Sequence, residues 1–312
     1  MMTIKQFILY VELLTKVASV FPFLIGTLYA AYHFKTVDLI NMVLMFSSLI
    51  CFDMCTTAIN NYIDAMKIHN QNPDQNPLEA YGLNKVKAKG IIFILLALAT
   101  LFGLILLSRT NSVVGLIGAI SFLVGIFYTF GPIPLSRMPL GEIFSGFFMG
   151  FVIPFLAAYI HVWDRGIVTF KIMGPQASFS FNVIEVVKLV IMAVPLMMGI
   201  ANIMLANNIC DLEQDIQNKR FTLPYYIGKK QALGLFGNLY WIGYVVIILG
   251  VFLGILPLVS LIVIFTVPIV YKHVTLFKAR AVKSETFVLA VKNFLMISGT
   301  YSLALIIQNI FN

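Results

Sequence analysis

The sequence predicts an all-α fold: a polytopic membrane bundle of nine transmembrane helices with its N-terminus in the cytoplasm. Three observations carry this. Of 312 residues, 60% are hydrophobic and 11% charged, against about a quarter charged in soluble domains, and the mean hydropathy is +0.94. The apolar residues gather into runs close to the roughly 20 residues that cross a bilayer as helix. Lys and Arg are shared unevenly among the connections between those runs.

In order, the runs are 17–34, 39–59, 91–108, 112–130, 141–160, 187–207, 233–254, 256–271 and 289–310. Backbone polar groups in hydrocarbon must be satisfied within their own segment, so each run reads as helix. Nine such segments make one compact bundle, and residues 1–312 read as a single domain. Ahead of the first run, Ile4, Phe7, Ile8, Val11 and Leu14 fall roughly on one helical face. That segment is expected to rest on the membrane surface rather than to act as a cleavable signal. With the N-terminus inside, 16 Lys and Arg lie on its side of the membrane and 5 (Lys35, Arg109, Arg165, Lys171 and Lys188) on the other. The positive-inside bias makes the first side cytoplasmic and the chain a multi-pass protein of the cell membrane.

The net charge of +8 is thus a topology signal first. No run of Lys and Arg interleaves with aromatic residues over a binding-sized surface, which argues against nucleic acid as a partner. Anionic membrane lipid or a phosphorylated substrate suits the charge better. Cys51, Cys55 and Cys210 have neither the spacing of a disulfide framework nor that of a zinc site.

Two polar clusters interrupt the hydrocarbon, Asn60-Asn61-Tyr62-Ile63-Asp64 and Asp211-Leu212-Glu213-Gln214-Asp215, each at the downstream end of an apolar run. Carboxylates near the hydrocarbon edge are costly and usually face a cavity or a cation. At about 100° per residue, Asp53, Asn60 and Asp64 share a stripe of the second helix, with Thr57 nearby. The sixth helix repeats the arrangement with Asn207, Asn208, Asp211 and Asp215, and Asn202 lies deeper. Asp53 and Asn202, taken singly, fit interhelical hydrogen bonding as well as they fit a site. Two stripes reaching the cytoplasmic rim predict a shared cavity. Two aspartates one turn apart repel unless a cation lies between them, and Asp and Asn oxygens favour a hard ion such as Mg2+. His33, His69, His161 and His273 are scattered and form no ligand pair. Mg2+ keeps several waters and is commonly completed by substrate phosphates, so the missing ligand is expected to be a phosphate or diphosphate.

The neighbouring loops agree. Lys219 and Arg220 follow the second cluster within a few residues, where they can bind the anion that the metal bridges. A third constellation runs from Tyr128 to Glu142 through Gly131, Pro132, Pro134 and Pro139. Such a rigid connection can aim Tyr128 and Arg137 at the cavity mouth, although an ordinary interhelical turn would also use those prolines.

These motifs resemble the UbiA superfamily of intramembrane aromatic prenyltransferases, which carries an N-D-x-x-D type motif after the second helix and D-x-x-x-D after the sixth. The stretch Asn207 to Asp215, with Lys219 to Leu223 and the G-P-x-P-L and P-L-G-E pieces of 131–142, looks most like the branch acting on 1,4-dihydroxy-2-naphthoate in menaquinone synthesis. The chain departs from the pattern at three places. Asn61 stands where the first motif usually has Asp, Ile68 and Asn70 where a further acid is common, and Cys210 where an Arg usually supplies an ion pair. Asp74 is near enough to supply an acid from the loop.

The resemblance implies Mg2+-dependent transfer of a polyprenyl group from polyprenyl diphosphate to an aromatic acid acceptor, with 4-hydroxybenzoate or homogentisate as alternatives to dihydroxynaphthoate. Asp64, Asp211 and Asp215 would be the catalytic acids and, with Asn60, the metal ligands, Asn61 being a further candidate. Asn60, Tyr128, Arg137, Lys219 and Arg220 would bind the diphosphate. The competing class is a transporter with an acidic cation site, which predicts broken helices near the bilayer midplane rather than clusters at helix ends.

Overall fold

The structure is a computed structural model that describes residues 3–71, 77–129 and 138–311. Thirteen α-helices, five short 3-10 or π segments and one β-hairpin account for the ordered elements among them. Eight helical segments of the described residues have the length and apolarity to cross a bilayer; the stretch Ser112–Phe127 is apolar but shorter. The chain is thus an integral, multi-pass, predominantly helical protein. It divides into two compact units, Met1–Val20 with Leu39–Ile133, and Phe21–Asp38 with Pro134–Asn312.

In the first unit, α1 (Ile4–Tyr10) begins with a capping box in which Thr3 and Gln6 bond each other's backbone amides. A 3-10 turn at Leu13–Lys16 leads into α2 (Val17–Tyr29), which crosses into the second unit. The apolar stripe expected on the membrane surface is split: Ile4 and Leu14 are exposed, whereas Val11 is fully buried, as is its neighbour Tyr10. The Tyr10 hydroxyl donates to the Ala58 carbonyl at 2.9 Å, so the N-terminal arm is docked on protein. α3 (Leu39–Gln71) has 33 residues. At 1.5 Å per residue it is about 50 Å long, well beyond the roughly 30 Å of a hydrocarbon core, so one end stands clear of the lipid. α4 (Lys85–Arg109), capped by Asn84, packs along α3 with Ala88, Ile91, Leu95, Ala99 and Leu106 buried at helical spacing. α5 (Ser112–Thr129) follows.

In the second unit, α6 (Gly141–Phe147), a π turn at Phe148–Val152 and α7 (Ile153–Tyr159) together make one apolar span. Gly146 and Gly150 bring it against α8 (Val183–Cys210): a Cβ on Gly150 would lie 2.4 Å from the Met197 Cα. α9 (Leu212–Gln217) and α10 (Leu223–Ile227) are short, and α11 (Lys229–Phe252) packs on α8 through the bond from Asn202 Nδ2 to the Phe236 carbonyl, 3.0 Å. Asn202 therefore serves interhelical packing. A 3-10 stretch at Leu258–Thr266 joins α12 (Val267–Ala279), and α13 (Phe287–Ile310) ends the bundle.

The all-α expectation needs one amendment. Strands β1 (Val168–Met173) and β2 (Gln176–Phe181) pair antiparallel between α7 and α8. Their alternation sets Phe170, Phe179 and Phe181 on one face and Thr169, Lys171, Ser178 and Ser180 on the other.

Candidate active site

The first motif lies near the C-terminal end of α3. Asn60 and Asp64 are one turn apart on the same helical face, Asn60 half-buried and Asp64 exposed. Tyr81, from the 3-10 turn Pro77–Tyr81, stands near Asp64: burial raises its phenol pKa above the ordinary value, and the Glu12 and Asp64 carboxylates add to the rise. Nothing in the spacing of the sequence singles Tyr81 out.

Asn61 turns elsewhere. One residue on, about 100° around the helix, its Nδ2 donates to the Tyr10 carbonyl at 2.9 Å and to Glu12 Oε1 at 3.1 Å. An Asp here would have no hydrogen to donate to either oxygen. The departure from the family pattern thus has a local cause: the amide fastens the N-terminal arm to the motif helix. Asp53 is also engaged on that arm. Its carboxylate takes Lys16 Nζ at 2.9 Å and the Ser19 hydroxyl at 2.5 Å, and Lys16 also donates to Thr57 at 2.5 Å.

The second motif spans the break between α8 and α9. α8 ends as Asp211 takes up the cap position, and α9 restarts one residue later. The Asp215 amide bonds the Asp211 carbonyl at 2.8 Å, which stacks the two acids one turn apart. Asp215 is 3% exposed, and its Oδ2 has no hydrogen-bond partner. After α9 the chain reverses through Lys219, whose φ is +56°, and the Arg220 amide returns to the Asp215 carbonyl at 2.8 Å. This turn carries Arg220 Nε to 3.5 Å from Asp215 Oδ1 while Lys219 stays exposed. Burial raises the pKa of the Asp215 carboxyl above its ordinary value; Arg220 opposes the rise and Asp211 adds to it.

Asp211 has a partner that the sequence did not indicate. Lys283, from the connection between α12 and α13, places Nζ 2.6 Å from Asp211 Oδ2 and in close contact with Asn207 Oδ1. Cys210 occupies the place where the family pattern has Arg; here the cation comes from Lys283, 72 residues beyond Asp211. One turn before Asp211, buried Asn208 donates to buried Glu142 Oε1 at 2.8 Å and ties the start of α6 to the end of α8. Tyr128 lies in the last turn of α5. Arg137 and Asp74 lie outside the described residues.

The sequence model of the UbiA prenyltransferase family matches residues 19–298. The chain belongs to that family. It is a prenyltransferase. This UbiA-family protein is 28% identical over 240 residues to the 1,4-dihydroxy-2-naphthoate octaprenyltransferase of Bacillus subtilis (strain 168), covering 74% of this chain and 68% of that one. In fold it is similar to digeranylgeranylglyceryl phosphate synthase, at 19% identity and TM-score 0.64 over 99% of both chains. It is also similar to a UbiA homolog from Archaeoglobus fulgidus bound to DMAPP and Mg2+, at 15% identity and TM-score 0.61 over 98% of this chain and 100% of that one.

Among the described residues, no three His, Cys, Asp or Glu side chains gather into a metal-binding group. What the second motif offers is oxygen: Asn207, Asp211 and the unpartnered, buried Oδ2 of Asp215. That set suits a hard divalent cation that retains waters and takes further oxygens from a phosphate.

Proposed function

We propose that this UbiA-family prenyltransferase transfers a polyprenyl group from polyprenyl diphosphate to an aromatic acceptor, 1,4-dihydroxy-2-naphthoate with loss of its carboxylate, as a step of menaquinone synthesis. The chain acts as one catalytic domain in the cell membrane, with its site facing the cytoplasm. The observation that carries the reading is the second motif: two stacked acids, one of them buried with a bare oxygen, paired with Arg220 and Lys283. The acceptor assignment rests on the Bacillus subtilis relative and the sequence around Asp211, since the fold is shared with digeranylgeranylglyceryl phosphate synthase.

Asp211, Asp215 and Asp64, with Asn60, would hold Mg2+, which when bound would supply positive charge to the diphosphate. The reaction begins as the allylic C–O bond ionises and its electron pair leaves with the diphosphate. Lys219, Arg137 and Tyr128 bind that anion as its charge grows. Arg220 pairs with the buried Asp215 and opposes the rise in its pKa that burial causes. The prenyl cation is attacked by the electron-rich ring carbon that bears the carboxylate. Carbon dioxide then departs, leaving its bonding pair to restore the aromatic ring. The surrounding apolar helices exclude the water that would otherwise trap the cation.

The test is incubation of purified protein with Mg2+, a polyprenyl diphosphate and a panel of aromatic acids, with products identified by mass. A decarboxylated prenyl-naphthalenediol supports the assignment. Product only from 4-hydroxybenzoate or homogentisate would replace the acceptor, and no product from any acceptor would overturn the reading.

A further inference from the structure

Lys283 stands where the proposed metal would bind. Its Nζ contacts Asp211 Oδ2 at 2.6 Å and Asn207 Oδ1, two oxygens of the second motif, and lies 4.9 Å from the centre of the Phe287 ring. The turn that presents it is built. Thr286 Oγ1 donates to the Arg280 carbonyl at 2.7 Å and accepts from the Val282 amide at 3.0 Å, while Arg280 and Glu285 pair at 3.0 Å. The lysine is thus staged by a fixed loop rather than reaching from a flexible one.

A cation at this place answers a specific need. Asp215 is buried with one unpartnered oxygen, and Asp211 lies one turn before it. Arg220 pairs with Asp215, and the cation in contact with Asp211 is Lys283. An ammonium in contact with both Asp211 Oδ2 and Asn207 Oδ1 holds two of the oxygens that a hard divalent cation would draw on. The two cations also repel each other.

We propose that Lys283 is a resident counter-cation of the second motif: it holds Asn207 and Asp211 together while the site is empty and is displaced when the metal arrives. The proposal depends on the reading in which Asp211 ligates Mg2+, and its consequence is competition. Each metal ion that binds must first break the lysine's contacts, so Lys283 sets how weakly the site holds Mg2+ and how readily it gives it up.

The experiment measures Mg2+ binding calorimetrically and the thermal unfolding temperature across a Mg2+ titration, both with inorganic diphosphate present. It compares the unaltered protein with Lys283→Gln, Lys283→Arg and Asp211→Asn. Lys283→Gln is expected to unfold at a lower temperature without Mg2+, to recover as Mg2+ is added, and to bind Mg2+ about fivefold more tightly, the effect of removing one competing charged contact. Lys283→Arg keeps the charge and stays near the unaltered protein. If Asp211→Asn loses Mg2+ binding while Lys283→Gln leaves the affinity unchanged or weakens it, the lysine is a structural or diphosphate-binding residue and the proposal fails while the metal reading stands. If Asp211→Asn binds Mg2+ unchanged, the metal reading itself fails, and the proposal with it. A loss of stability in Lys283→Gln that Mg2+ does not repair would equally overturn it.

Discussion

Lys16 Nζ lies 2.9 Å from Asp53 Oδ1, with the two side chains only 5% and 16% exposed, so an ion pair within an apolar helix bundle joins the N-terminal arm to the helix that carries the first acidic motif. The Ser19 hydroxyl closes on the other carboxylate oxygen at 2.5 Å. Removing one member leaves the other charge buried and unpaired. Asp53→Ala or Lys16→Met is expected to cost about 3–5 kcal/mol. The double substitution Lys16→Met with Asp53→Ala should cost less than either change alone, and equilibrium unfolding in detergent of the four proteins of this cycle measures it.

Asn61→Asp tests the fastening of the arm. The substitution removes the donor to the Tyr10 carbonyl and sets a carboxylate against Glu12, a loss of about 1–3 kcal/mol. Limited proteolysis should cut the first fifteen or so residues faster in the variant. Adding Glu12→Gln, which returns a donor to the contact, should restore part of the protection.

Asp64→Ala, Asp211→Ala and Asp215→Asn are each expected to lower kcat/KM by about a hundredfold or more, the scale of losing electrostatic stabilisation of a leaving group. Unfolding temperatures close to that of the unaltered protein would show that the loss is chemical. Full activity in any of these variants would remove that residue from the site.

Gly150→Leu should be among the most damaging substitutions in the second unit. A Cβ alone would approach the Met197 Cα to 2.4 Å, and neither helix can yield without shifting its backbone. Overpacking of this kind costs about 1–3 kcal/mol and sometimes more. Thermal unfolding measures it, with Gly118→Ala, where a Cβ meets nothing within 4 Å, as the tolerated control.

Much of this molecule is legible in its sequence because hydrocarbon imposes one solution on the backbone. Apolar runs read directly as helices, and the first run, 17–34, falls within the span Leu13–Phe34. The acids were legible for the related reason that carboxylates at a lipid edge are rare. Partners distant along the chain were not. Lys16 meets Asp53 across 37 residues and Lys283 meets Asp211 across 72, and no periodicity encodes either meeting. Asn61 read as a further candidate ligand because helical phase was applied to its neighbours and not to its own direction. The hairpin did carry a signal, alternation through Val168, Phe170, Phe179 and Phe181 about the Gly174-Pro175 turn, which a search for long apolar runs passes over.

That hairpin closes at its base, where the Asn182 amide bonds the Ile167 carbonyl at 2.8 Å. The connection between α7 and α8 is therefore held to a fixed short span, and its contour length is stored in paired strands rather than in a wandering loop whose closure would cost entropy. Residues added at the tip, beside Gly174 with its φ of +59°, lengthen the part of the connection that bears no load between the two helices. The tip is accordingly the place on this protein where an epitope or a fluorophore can be carried without altering how α7 hands the chain to α8.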